Sequence, residues 1–99
     1  MTINLVNRNT EGELMLEGRL DTKTAPEAEE IFNQVAERFE SVVLNMQNLT
    51  YVSSAGLRVL KRLHMNMKKK GGSLVLKNVN KMVMEVFEMT GFVSLLEFI

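Results

Sequence analysis

Apolar and polar residues alternate around Ile3 and Leu5, and again around Leu14 and Leu16 beyond Glu11-Gly12. A period of two marks a strand with one buried face, so the opening reads as two short strands joined by a Gly-containing turn, a hairpin. The period then changes. Ala28, Ile31, Phe32, Val35, Ala36 and Phe39 recur at helical spacing, with Glu29, Glu30, Asn33, Gln34, Glu37 and Arg38 on the other face. Ahead of them, Thr24-Ala25-Pro26-Glu27 has the form of a capping box, in which a hydroxyl and a carboxylate satisfy amides that lack partners within the helix.

Ser41-Val42-Val43-Leu44-Asn45-Met46 is apolar without alternation, as expected of a central strand buried on both faces, and Gln47 to Val52 reads as a loop. A second helix is expected to open at Ser53-Ser54-Ala55-Gly56, to bury Val59, Leu60, Leu63 and Met67, and to end at Lys68-Lys69-Lys70-Gly71-Gly72. Ser73-Leu74-Val75-Leu76 reads as another buried strand, and Asn80 caps a third helix through Val83, Val86 and Phe87 that Gly91 stops. Phe92 to Ile99 supplies a last strand or tail. The order β-β-α-β-α-β-α-β predicts an α/β fold with a mixed sheet of four or five strands and helices packed on it.

Composition narrows the function. Ninety-nine residues, with no repeat, no Pro/Gly-rich linker and a single proline, Pro26, make one domain spanning residues 1–99. A chain this short leaves no room for a deep cavity holding a large cofactor. Twelve basic residues balance twelve acidic ones, so the broad positive field of a nucleic-acid binder is missing. No cysteine is present, which excludes disulfides, thiolate metal sites and cysteine nucleophiles and fits a reducing compartment, read as the cytoplasm. Met1 to Arg8 lacks the form of a signal peptide, and no apolar run reaches the roughly 18 residues of a membrane span, so no membrane insertion is expected.

Convergent catalytic groups are scarce. There is one histidine, His64, at the edge of the second helix's apolar stripe, and no phosphate loop or dinucleotide fingerprint, so neither catalysis nor direct nucleotide binding is expected. Glu27, Glu29 and Glu30 suit the positive end of a helix, and Lys68 to Lys70 suit a negative end. Met82, Met84 and Met89 exceed what one apolar face holds, leaving an adaptable surface; together with the tail Leu95 to Ile99 it allows either a monomer or a weak dimer. Tyr51-Val52-Ser53-Ser54-Ala55-Gly56-Leu57 remains. A serine at a helix start caps free amides, and the same amides and dipole favour a phosphoryl group there. Gly56 beside it is expected to let another protein approach the backbone closely.

These residues resemble the STAS domains, and among them the bacterial anti-sigma-factor antagonists. Gly18-x-Leu20-Asp21 with Thr24-Ala25 is similar to the family's loop before its first helix. Val42-Val43-Leu44, the Tyr51 to Leu57 segment and Val59-Leu60 are similar to its central strand, phosphorylation loop and second helix, and Gly71-Gly72-x-Leu74, Asn78-Val79, Val83, Phe87 and Thr90-Gly91 continue in register. The resemblance implies a switch and not an enzyme. Its unphosphorylated form binds an anti-sigma factor with serine kinase activity and frees the sigma factor. Phosphorylation by that kinase ends the interaction, and a serine phosphatase resets it.

The family's usual Asp-Ser-(Ser/Thr)-Gly-Leu stands here as Ser53-Ser54-Ala55-Gly56-Leu57, which makes Ser54 the implied acceptor and Ser53 the alternative. Asn45 stands where an Asp is common, which weakens an acidic feature of the loop. Asp21, Thr22, Ser53, Ala55, Gly56 and Arg58 are the implied partner-binding residues, with no cofactor, metal or catalytic residue. The alternative within the resemblance is a constitutive scaffold subunit of a transport or sensory complex.

Overall fold

Val42 to Met46, the apolar run without alternation, lies at the centre of the sheet with every side chain buried. The structure is a computed structural model and describes residues Met1 to Ile99. Its elements are β1 (Thr2–Arg8), β2 (Glu11–Leu20), α1 (Ala25–Arg38), β3 (Ser41–Val52), α2 (Ser54–Lys69), β4 (Ser73–Lys77), α3 (Lys81–Thr90), a 3-10 turn (Phe92–Ser94) and β5 (Glu97–Phe98). The sheet runs β1-β2-β3-β4-β5, with β1 antiparallel to β2 and all other neighbours parallel. Mixed sheet and element order match the α/β expectation.

Register separates two faces. Leu5, Leu14, Leu44, Leu76 and Phe98 form one cross-strand row, and Val6, Glu13, Val43, Val75 and Glu97 the next. Successive residues of a strand point to opposite sides, so the first row faces the helices and the second faces away. Gly12, level with Val42, confirms the assignment, because a Cβ there would sit 2.7 Å from the Phe39 ring at the end of α1. Twenty-four buried residues form the helix-side core, among them Phe32, Phe39, Leu44, Leu60, Leu63 and Phe87; Val43, on the other face, is not one of them. At about 25 cal/mol per Å² this face carries most of the burial that holds the fold together.

Helices α1 and α2 lie side by side. Arg62 of α2 pairs with Glu29 of α1 through two hydrogen bonds. Lys70 donates to the carbonyls of Ala36 (2.6 Å) and Phe39 (3.0 Å), so the lysine run serves the C-terminal end of α1 as well as that of its own helix.

Four local expectations change. The hairpin turns at Asn9-Thr10, where Asn9 takes φ 69°, and Glu11-Gly12 belongs to β2. Residues 47–52 are not a loop: β3 continues to Val52, paired with β2 across two register shifts, and the shifts break the alternation that would have revealed it. Thr24 makes no side-chain cap; its hydroxyl bonds back into the loop at Asp21 and Arg19, and the first helical amide, of Ala25, goes to the Asp21 carbonyl. The C-terminal strand is only Glu97–Phe98, preceded by a 3-10 turn.

Candidate functional site at the start of the second helix

Strands β2 and β3 end together, Leu20 beside Val52, and both chains leave the sheet at that edge. The carboxyl ends of parallel strands are where an open α/β sheet presents its loops for recognition. The amide of Ser53 donates to the carbonyl of Leu20 at 2.9 Å, which ties the start of α2 to the loop before α1.

The two serines have different tasks. Ser53 has extended backbone (φ −91°, ψ 177°), and its hydroxyl accepts from the Gly56 amide at 3.3 Å, the geometry of an N-cap. Ser54 is the first helical residue; it is exposed, and its hydroxyl engages no protein group. No acidic side chain occupies the first turn of α2, and exposed Arg58 stands one turn further on. Positive dipole, unpaired first-turn amides and a cation at i+4 all favour negative charge at Ser54. Ala55 is half-buried.

Gly56 overturns one expectation. It is buried, and a Cβ there would lie 2.7 Å from the Leu20 carbonyl oxygen and 2.8 Å from the Leu20 side chain. Its missing side chain serves a close approach of α2 to β2 inside the molecule, so no external partner reaches its backbone.

The neighbouring loop is built on Asp21. Its carboxylate accepts from the amides of Lys23 (3.0 Å) and Thr24 (3.1 Å), and its carbonyl accepts from the amide of Ala25 at 2.8 Å. The Thr24 hydroxyl accepts from the Asp21 amide (2.9 Å) and donates to the Arg19 carbonyl (2.7 Å). The Thr24 amide, chief among the donors, holds the Asp21 carboxyl below the usual carboxylate range, with Lys23 and Arg19 acting the same way. Asp21 is thus a turn residue first, and its side chain is 27% exposed beside Arg19 at 3.6 Å. The Arg19 guanidinium lies 4.2 Å from the centroid of the Tyr51 ring, and Tyr51 is exposed. Thr22 is exposed at the loop tip. Asp21 and Thr22 lie in the loop that Leu20 ties to the start of α2, where Ser54 and Arg58 are exposed; Arg19 and Tyr51, at the ends of β2 and β3, went unnoticed in the sequence, because only the β2–β3 register sets them side by side.

A second polar cluster lies on the sheet face away from the helices. Glu13, only 4% exposed, is met by Arg8 at 3.1 Å, Lys77 at 3.1 Å and the Asn45 amide at 3.2 Å. Burial pushes its carboxyl up, but the bonds from Lys77 and Asn45 and the charges of Lys77 and Arg8 outweigh this and hold it below the ordinary range. Asn45 in turn accepts from Asn78 (3.2 Å) and from the Gln47 amide (3.1 Å). Asn45 therefore belongs inside β3, in the Glu13 cluster and away from the start of α2. No buried side-chain polar atom lacks a partner, and no group of three or more His, Asp or Glu is placed to hold a metal. His64 is half-buried on α2, and no helix is long and apolar enough to cross a membrane.

Comparison with known proteins places the chain in a family. Residues 2–99 match the STAS domain family. BtrV of Bordetella bronchiseptica, whose name gives anti-sigma factor antagonist as a provisional role, is 38% identical over 81 residues, 81% of this chain and 70% of its own. The anti-sigma-B factor antagonist of Bacillus subtilis is 27% identical over 99 residues, 98% of this chain and 91% of its own. Among solved structures, the anti-sigma factor antagonist SpoIIAA in its unphosphorylated form shares the fold with a TM-score of 0.77 at 14% identity, over 99% of this chain and 87% of that one. SpoIIAA of Bacillus in its phosphorylated form aligns with the same TM-score of 0.77 at 15% identity, over 99% and 91%. The family match and the shared fold thus define a STAS domain. The chain belongs to that family, in its anti-sigma factor antagonist group.

Proposed function

We propose that this protein is a phosphorylation-controlled antagonist of an anti-sigma factor, with Ser54 as the acceptor. The observation that carries the reading is the contrast between the two serines: the Ser53 hydroxyl is engaged as a helix cap, while that of Ser54 is exposed and unengaged at the positive end of α2. The unphosphorylated edge formed by Asp21, Thr22, Ser54 and Arg58 docks on an anti-sigma factor with serine kinase activity. Transfer of the γ-phosphoryl group of ATP, bound to the kinase, forms the Ser54 Oγ–P bond and releases ADP and the hydroxyl proton. The product adds about −1.5 to −2 of charge. A group of that charge at the centre of a desolvated interface weakens binding by several kcal/mol, on the order of a hundredfold or more. A serine phosphatase returns the hydroxyl.

Intact-mass and tandem mass spectrometry after incubation with ATP and the serine kinase encoded nearest to the gene tests the assignment. One added phosphate on Ser54 is the expected result. Phosphate on Ser53 would move the site by one residue, and none, with a kinase shown to be active on another substrate, would favour a constitutive scaffold.

A further inference from the structure

Helix α1 has two flanks. The inner one bonds to α2 through Glu29 and Arg62. The outer one lies over the free edge of the sheet, where Leu5 of β1 meets Ile31, Gln34, Val35 and Arg38 along a shallow groove. Strand β1 is the outermost strand, with six of its seven residues exposed, and no lysine, proline or bulge interrupts it. An edge of this kind offers unpaired amides and carbonyls to another strand.

Charge says what fits there. Along the outer flank of α1, Glu27, Ile31, Gln34 and Arg38 follow one another at intervals of four, three and four residues, so they share one stripe. Glu27 and Arg38 are exposed, at opposite ends of that stripe, and neither enters any ion pair within the chain. A helix acidic at one end and basic at the other is complementary to itself when a second copy runs antiparallel. The geometry also allows it: α1 leaves the loop at the Thr2 end of β1 and finishes beside the turn at its Arg8 end, so helix and strand run in the same direction. Pairing β1 antiparallel with β1 of a second copy therefore sets the two α1 helices antiparallel as well, Glu27 of each opposite Arg38 of the other.

The spacing closes. Strands about 4.8 Å apart, with α1 packed over β1 and β2, place the paired helices about 10 Å apart, a normal interhelical distance. Seven strand residues span about 23 Å and fourteen helical residues about 21 Å, so both layers end together.

We propose that this chain forms a symmetric dimer by continuing its sheet across β1, with the outer flanks of α1 pairing above the junction. Ile31 and Leu5 supply its apolar centre. One strand and one helix flank per copy make a small interface, below about 1,200 Å² in total, so association is weak and concentration-dependent. The start of α2 stays free in both copies, because it lies on the far side of α1, and the dimer does not depend on the switch reading.

Sedimentation velocity over micromolar to millimolar concentration, with circular dichroism to confirm folding, tests the dimer. The wild-type protein is expected to dimerise at the upper end. Glu27→Arg and Arg38→Glu should each raise the dimer dissociation constant about tenfold, and the double variant Glu27→Arg/Arg38→Glu should restore it, since the swapped charges are again complementary. Leu5→Lys should abolish association by placing like charges at the two-fold axis. A protein monomeric throughout would overturn the proposal. So would a dimer that ignores all these changes, as one formed through exposed Met82, Met89 and Ile99 would.

Discussion

Two polar regions of this domain look alike in composition and differ in what is left over. On the sheet face away from the helices, Glu13 is buried and surrounded by Arg8, Lys77 and Asn45, with every buried polar atom paired. At the start of α2 the chain holds a hydroxyl that pairs with nothing and a helix end without an acidic neighbour. A saturated network fixes register and resists change, whereas unspent hydrogen-bonding capacity at a fixed place can accept a ligand or a covalent group. Charge density alone would have pointed to Glu13. Residual capacity is found at Ser54, and it is what supports the proposed reading.

The contrast can be broken first at Ser54. Ser54→Asp should weaken binding to the anti-sigma partner by at least about tenfold, with full phosphorylation costing more. The same change should leave stability equal or raise it by about 0.3–1 kcal/mol, since negative charge at a helix start is favourable. Calorimetric titration and thermal melts read the two effects separately. Ser54→Ala should keep binding and lose phosphate incorporation.

Gly56→Ala should destabilise by about 1–3 kcal/mol, because its Cβ would meet the Leu20 backbone and push α2 off β2. Urea unfolding would show it, and partner binding should fall as well. Glu13→Gln should cost about 1–2 kcal/mol by exchanging a charge-assisted pair for a neutral bond, without altering partner affinity. Loss of both stability and affinity there would erase the distinction between the two regions.

Acid titration sharpens the same point. Glu13 and Asp21 both have carboxyls held below their ordinary values, so each contributes stability that is complete above the unfolded pKa, near 4.5 and 3.8, and is lost as pH falls through the lower folded value. Stability should therefore be flat near neutral pH and decline below about pH 4.5, with Glu13→Gln flattening part of that decline. Ser53→Ala should cost about 1 kcal/mol for the lost cap, with Ser54 still phosphorylated.

Much of the architecture was legible because burial writes a period into the chain. The stripes of α1 and α2, the unbroken run at Val42 to Met46, and the Asn80 and Gly91 signals around α3 all appear where expected; Asn80 accepts from Val83 at 2.9 Å, and Gly91 takes φ 80°. What escaped depends on contacts distant in sequence. The second half of β3 carries exposed Gln47, Asn48 and Thr50 and pairs across bulges, so no period marks it. Glu13 reads as an ordinary outward residue of a half-buried strand until the register brings Asn45 and Lys77 beside it. The Thr24 capping box failed because the Thr24 hydroxyl is turned back to the Asp21 amide and the Arg19 carbonyl, and the Asp21 carboxylate takes the Thr24 amide that Glu27 would have used.

The site was legible in outline only. The spacing of Ser53 and Ser54 does not say which is the cap; one backbone torsion and one hydrogen bond from Gly56 do. Tyr51 and Arg19 emerge as neighbours only through strand pairing.

The most direct measurement is the affinity of the anti-sigma partner for the unphosphorylated protein and for protein carrying one phosphate on Ser54, titrated side by side by calorimetry. The account predicts tight binding of the first and a loss on the order of a hundredfold or more for the second. Equal affinity of the two forms would contradict it.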